Sequence, residues 1–353
     1  MSTVLEKAFA KVTLLACKGY LPTFIDNSTQ IHFEKIVPAA LKHALPQVEG
    51  NANGVLHYTN LSVLYNSKRR VPFVSAYNID GGKKSSSVKR ANKFRPDPRI
   101  DEAIQLSQKG FYDLRKDITE FEIGHMAANN EMAWGTIAQL QSYQTFHFTN
   151  SVPQAEKLNT GIWKTLETYI VDESATIKNN QRICVFTGPL LRDDDPVYKK
   201  DPVFQIPLLF YKVVVFPTAD GIFSTAFMMS HEQKMIEQKM FVSSPGKKSA
   251  KKAKATANPD FADFKYKKVF QVNIKYLEEQ TGLKFSWQGV KSIKVPNDIN
   301  QIVKIRKIKD ATEAAAVENQ LKKGKAPGKM TMHTDLTPHE IKNKTYKLNI
   351  ILP

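Results

Sequence analysis

The chain has 353 residues, 42% of them hydrophobic and 24% charged, enough length and apolar content to bury a core as one large domain or two modest ones. Fifty-one Lys and Arg against 34 Asp and Glu leave a net charge of +17, a field that attracts polyanions. No apolar run approaches the roughly 20 residues of a membrane helix. The short run "VTLLAC", closed by Lys18, is no signal-peptide core, so the expectation is a protein kept in the cytosol, or exported by a route its own sequence does not show, without a membrane partner.

In chain order, residues 1–45 read as an N-terminal helical segment. It holds "VLEKAFAKVTLLACKGY" and, after "PTFIDNST", "QIHFEKIVPAALKHAL", which Ser28 or Thr29 could cap. From Val55 the pattern turns to β. "VLHYTNLSVLYN" and "RVPFVSAYNID" flank "SKRR" as a hairpin. A basic loop, "KKSSSVKRANKFRP", follows, and residues 100–119 predict a helix. "QTFHFTN" is strand-like, and "LNTGIWKTLETYIVDES" is an amphipathic helix with Trp163, Leu166 and Ile170 on its apolar side. "RICVFTGPLL", "IPLLFYKVVVF" and "GIFSTAFMMS" are strand-length apolar runs.

Residues 243–260 have linker composition and form a basic loop carrying Lys247, Lys248, Lys251 and Lys252. It is either a phosphate contact or simply solvated. "IKYLEEQTGLKF" predicts a helix with a glycine stop, and "YKLNIILP" a closing strand. The main domain is expected over 46–295 and a C-terminal extension over 296–353. Strands and helices without a βαβα rhythm predict an α+β fold with a largely antiparallel sheet.

Few residue patterns carry chemistry. Cys17 and Cys184 have no disulfide or zinc spacing and read as reduced, buried thiols. His231 in "SHEQK" has no second histidine in register and reads as structural. Asp193, Asp194 and Asp195 suit a solvated turn better than a metal site. "FEIGHMAANNEMAWG" places His125 after a glycine; alone it reads as a turn histidine. Downstream, Asn159, Trp163 and Glu167 fall four apart. On a helix about 80° separates the first from the last, so an amide oxygen and a carboxylate can face one pocket and hold a hydrated divalent cation. The same spacing suits a helix cap at Asn159 and an exposed charge at Glu167.

Together the pieces "GHMA", "WG", "TFHFTNSVPQ", "LN" and "W..LE", with "LHYTNLSVLYNSKRR", "AYNIDG", "FRPDPRI", "VFTGPLL", "IPLLFYKVVV" and "TGLKF", resemble the DNA/RNA non-specific endonucleases. These are the ββα-metal nucleases that include endonuclease G relatives. The resemblance runs from about Gly19 to about Trp287. It implies a ββα-metal fold and hydrolysis of phosphodiester bonds in DNA and/or RNA. His125 would be the general base, Asn159 the direct Mg²⁺ ligand (Mn²⁺ the alternative), Glu167 the holder of metal-bound water and Asn150 a support of the network. Contacts would go to the nucleic-acid backbone and not to base edges. A homodimer is a further implication.

One departure matters. Where the family carries Asp-Arg-Gly-His, this chain has Glu122-Ile123-Gly124-His125. The lost cation would be replaced by Arg90, Arg95 or Arg99, or the enzyme is slow, or the chain binds nucleic acid without cutting. "AANN" at 127–130, where arginines are common, leaves the phosphate clamp open too. A cytosolic nuclease endangers its own genome. Restraint by an inhibitor or activator protein is therefore expected, or use as a defence effector or toxin, with partner contacts in residues 1–45 or 296–353. A scaffold whose basic loops bind an acidic partner is the remaining reading.

Overall fold

The computed structural model describes residues 3–91, 93–112, 121–155, 162–173, 181–199, 201–232, 269–295, 299–302, 306–308, 345–347, 350–351 and 353. Helix α1 (Val4–Phe9) starts on a capping box in which Thr3 and Glu6 exchange hydrogen bonds. The chain turns extended at Ala10 and re-enters helix as α2 (Lys11–Leu15). The first expected helix is thus two short ones. The second does not form over 30–38. Ile31, Phe33 and Ile36 are buried there in non-helical chain, and only Ala39–Ala44, after Pro38, makes a 3₁₀ turn.

Strands β1 (Val55–Tyr58), β2 (Leu61–Asn66) and β3 (Val71–Asp80) form an antiparallel meander. The expected hairpin at "SKRR" is present, with Asn66 Oδ1 accepting from the amides of Lys68 and Arg69 at 3.0 Å. The first run also folds back on itself at Thr59-Asn60, where Asn60 takes φ +57°, a conformation asparagine tolerates.

Residues 100–112 depart from the helix expected over 100–119. They form a 3₁₀ turn at Glu102–Ile104 and a π-helical turn at Gln108–Tyr112. Gln105 is held back by Asp97, accepting from its amide at 2.8 Å and donating to its carbonyl at 3.0 Å. Residues 113–120 lie outside the described set.

Then come β4 (Glu122–His125), α3 (Ala138–Gln144), β5 (Ser151–Gln154) and α4 (Ile162–Thr168), which runs into a π-helical turn over Tyr169–Glu173. "QTFHFTN" is no strand; it holds the end of α3 and a 3₁₀ turn at Phe148–Asn150. The remaining elements are β6 (Arg182–Leu190), β7 (Val197–Tyr198), β8 (Asp201–Gln205), β9 (Leu209–Thr218), β10 (Gly221–Ser230), β11 (Val269–Val272), α5 (Ile274–Thr281), β12 (Val290–Ser292), β13 (Ile299–Ile302), β14 (Arg306–Ile308) and β15 (Thr345–Lys347). Helix α5 stops at Gly282, φ +68°, as its sequence predicts.

The main sheet runs β1-β2-β3-β6-β9-β10-β11-β13 and is antiparallel throughout, with β12 added parallel to β10. The fold is α+β with a large antiparallel sheet and few helices. Its strands read as continuous apolar runs because both faces are covered. Ile183, Val185, Phe210 and Val214 share one core with Met126, Val152, Trp163 and Leu166. Cys184, Phe186, Tyr211 and Val213 share the other with Phe24, Ile31, Phe33, Ile274 and Leu277. The candidate catalytic elements therefore lie on one face together with α1 and α2, and residues 20–44 with α5 lie on the other. The Trp287 indole N–H closes that second layer by donating to the His32 carbonyl at 2.8 Å. Beyond residue 295, β13 pairs with β11, and Gln271 clamps Ile351 through its amide and carbonyl, both at 2.8 Å. No helix among the described residues is long and apolar enough to cross a membrane.

Candidate active site

Two antiparallel strands and the helix after them build the site. In the β4–β5 pair Gly124 faces Val152 and His125 faces Ser151. A Cβ at Gly124 would come within 2.0–2.6 Å of the Gln154 side chain, so the glycine leaves the room that side chain occupies across the strand pair. Asn150 fixes the chain after His125. Its Oδ1 accepts from the Ala127 amide (3.0 Å) and the Ser75 hydroxyl (2.9 Å). Its Nδ2 donates to the carbonyls of Ala127 (2.9 Å) and Thr145 (3.0 Å). A fully buried amide with all its groups so engaged is a clamp on the His125 loop and does not reach a reacting atom.

The His125 ring lies between Phe94 (4.5 Å) and Phe146 (4.6 Å). It is 7% exposed, and its Nε2 has no hydrogen-bond partner among the described residues. Burial, aided by the positive charge of Arg90, pushes its pKa down to about 3, so the ring is neutral at physiological pH. Arg90 is exposed, stacks its guanidinium 5.1 Å from the centre of Phe146 and donates to Asn129 Oδ1 at 3.1 Å. The segment that carries it is pinned by Arg95, whose amide donates to Phe146 O (2.9 Å) and whose carbonyl accepts from Phe148 N (3.0 Å).

Arg90 is thus the cation beside His125. Arg95 is exposed too, but its guanidinium stacks on Phe9 at 4.8 Å. Arg99 corrects the sequence expectation of a phosphate contact. It is 5% exposed, paired with Asp97 at 2.7 Å and bound to the carbonyls of Leu14 and His57. Four of its five N–H groups are bonded inside the fold, and the side chain is buried, so it is spent on structure.

Glu167 lies on α4, largely buried. Behind it stands a cluster the sequence reading missed. Lys212 of β9 is fully buried and donates to Tyr77 Oη (2.7 Å) and Glu131 Oε1 (3.1 Å), with Glu167 Oε1 at 3.7 Å. Tyr77 in turn donates to Glu131 Oε2 at 2.7 Å, and the Ala128 amide donates to the same oxygen at 2.9 Å. One ammonium faces two buried carboxylates. Burial raises the Glu167 carboxyl well above its usual range, and Lys212 only partly opposes this. The signal was present in the sequence as a lone lysine inside the apolar run "LLFYKVVVF".

Asn159, the expected direct metal ligand, lies outside the described residues, as do Lys247, Lys248, Lys251 and Lys252. Among the described residues no group of three or more His, Cys, Asp and Glu could hold a metal ion. One uncompensated buried carboxylate suits a hydrated divalent cation held partly through water. The Asp193–Asp195 turn is spent on arginines: Asp195 pairs with Arg69 at 2.5 Å and Asp194 with Arg192. His231 is structural, as expected. It is fully buried, its Nδ1 accepts from the Ala155 amide at 3.3 Å, and its Nε2 is bonded to Pro207 O at 2.7 Å.

Comparison with known proteins supplies the family. A family model described as DNA/RNA non-specific endonuclease matches residues 41–292. The uncharacterized protein y4fB of Sinorhizobium fredii is 31% identical over 61% of this chain and 33% of its own length. The mitochondrial nuclease EXOG of Danio rerio is 27% identical over 49% of this chain and 51% of its own. The human EXOG is 28% identical over 38% and 33%. The chain thus spans about a third to a half of these relatives. A crystal structure of the EndoG/EndoGI complex overlaps 65% of this chain and 84% of that one at 23% identity and a TM-score of 0.46.

Proposed function

This chain belongs to the DNA/RNA non-specific endonuclease family, and from that premise we propose that it is a divalent-metal-dependent, sugar-nonspecific endonuclease with His125 as general base. The observation that carries the reading is the setting of His125: a neutral imidazole whose Nε2 has no partner among the described residues, beside an exposed cation, Arg90, placed to take over from the arginine absent at Ile123.

His125 takes a proton from the attacking water, and its depressed pKa is that of the protein without substrate. A phosphate arriving next to Arg90 brings negative charge, offsets the guanidinium and raises the imidazole toward the range where a base works best. Arg90 stabilises charge on the non-bridging oxygens. Asn150 holds the loop that aims His125. Mg²⁺, with Mn²⁺ as the alternative, would be held by Asn159 and, through water, by Glu167, and when bound supplies charge at the leaving 3′ oxygen. Lys83, Lys84, Lys89, Arg90, Lys93 and Arg95 fall on one exposed or half-exposed segment and form a backbone-following track. Lys247, Lys248, Lys251 and Lys252 are proposed as further phosphate contacts on the strength of their charge alone.

The proposed boundaries are 1–45, 46–295 and 296–353. An inhibitor or activator protein, a homodimer, a cytosolic setting and a role as a defence effector or toxin belong to the same proposal. The second reading, nucleic-acid binding without cleavage, is favoured by Ile123 alone. Wild type and His125→Ala, incubated with plasmid DNA and single-stranded RNA in Mg²⁺ or EDTA, separate the two. Cleavage should need Mg²⁺ and fall at least about a thousandfold in His125→Ala. Salt-sensitive binding with no cleavage in any divalent metal would establish the second reading.

A further inference from the structure

We infer that Lys212 is a positioning residue that aims Glu167 at the cation site and ties the helix bearing it to the loop that follows His125. The inference rests on the nuclease reading above. It is carried by three observations. First, the ammonium is fully buried in the middle of the central sheet, where an apolar side chain of similar size would be the cheaper occupant. Second, the ammonium faces three groups on three different elements: it donates to Tyr77 on β3 at 2.7 Å and to Glu131 after β4 at 3.1 Å, and forms an ion pair with Glu167 on α4 at 3.7 Å.

Third, the distances are unequal. Lys212, Tyr77, Glu131 and the Ala128 amide form a closed set whose shortest contacts are 2.7–3.1 Å. That set is neutral and would be a complete structural pair by itself. Glu167 stands at its edge, close enough to be oriented and too far to be saturated, so its carboxylate keeps capacity to accept water. The Trp163 ring, 5.6 Å from Lys212 Nζ, shields the ammonium on the α4 side. The geometry makes Glu131 the anchor and Glu167 the group being aimed.

The test is Mn²⁺ binding, followed by electron paramagnetic resonance of the free ion, on the full chain without nucleic acid. Lys212→Met alone strands Glu131 in the core, so the main variant is the double Lys212→Met, Glu131→Gln, which replaces a neutral pair by a neutral pair. Tyr77→Phe, which removes one hydroxyl, is the milder companion. Positioning predicts a Kd for Mn²⁺ at least fivefold weaker in the double variant and about twofold weaker in Tyr77→Phe. It also predicts a kcat at least tenfold lower at saturating Mn²⁺, with KM for DNA within twofold.

A lysine acting only as a nearby positive charge would leave Mn²⁺ binding unchanged, because the double variant replaces a neutral pair by a neutral pair and Tyr77→Phe alters no charge. Unchanged or tighter Mn²⁺ binding in both variants therefore overturns the inference. A wild type that binds Mn²⁺ but cuts nothing sinks the catalytic reading, while the comparison of Kd values still decides the part played by Lys212. A wild type that binds no Mn²⁺ overturns the inference and the metal reading together.

Discussion

Ile123 is half-buried in β4 opposite Pro153, and its side chain carries no charge to a phosphate. The proposed replacement, Arg90, comes from a different loop and is held by Phe146 and Asn129. Arg90→Ala should lower kcat/KM by about 10²–10³, the usual loss for one charge-stabilising group. Ile123→Arg introduced into that variant should recover at least tenfold, and steady-state kinetics on duplex DNA read both. His231 gives a second residue-level outcome. Burial holds its pKa down to about 4, so the folded ring stays neutral where the unfolded ring, near 6.5, takes up a proton. Its contribution to stability is whole above pH 6.5 and is lost as pH falls from there toward 4. His231→Asn should therefore flatten the decline of Tm between pH 7 and pH 5, removing up to about 1.4 kcal/mol per pH unit, as thermal melts at each pH would show.

Among the elements, β6 and β9 depend on close approach across the sheet. A Cβ at Gly188 in β6 would sit 2.4 Å from the Phe73 carbonyl oxygen and 2.9 Å from the Tyr211 hydroxyl that donates to it. The obstacle is backbone, so Gly188→Ala should cost about 3 kcal/mol or more, measured as a lowered urea midpoint. The same two-sided burial made these strands easy to read, since their apolar runs have no polar face. Elsewhere the local pattern was overridden. "DEAIQLSQKG" has helical spacing, yet Gln105 bonds back to Asp97 and breaks the turn. Phe33 and Ile31 suit a helix or an extended chain equally well. Of the candidate site, His125 and Asn150 came from the family resemblance and not from their own spacing, since the Asn150 side chain meets the chain after His125 only across 23 residues. Arg90 could not be told from Arg95 or Arg99, because the pairing of residue 95 with 146–148 is set by tertiary packing. Lys212 was hidden by distance, 81 residues from the carboxylate it neutralises.

For the molecule as a whole, a net charge of +17 makes association with a polyanion a matter of ion release. His125→Ala should bind duplex DNA with an affinity that falls steeply between about 50 and 200 mM salt. Neutralising Lys89, Arg90 and Lys93 should reduce the slope of log K against log salt by about 0.9 for each phosphate left without its cation, as fluorescence anisotropy titrations would show. The gap between Glu131 and Lys212 also has a meaning in time. At about 5–20 residues per second, a ribosome makes the lysine some 4–16 s after the glutamate it will neutralise, 81 positions apart. During that interval the loop behind His125 has no counter-charge in the sheet to fasten it, and the Glu167 helix has nothing to aim it. Glu131 is therefore an acid without its partner for the making of the next 81 residues, on a chain whose central strand β9 does not yet exist.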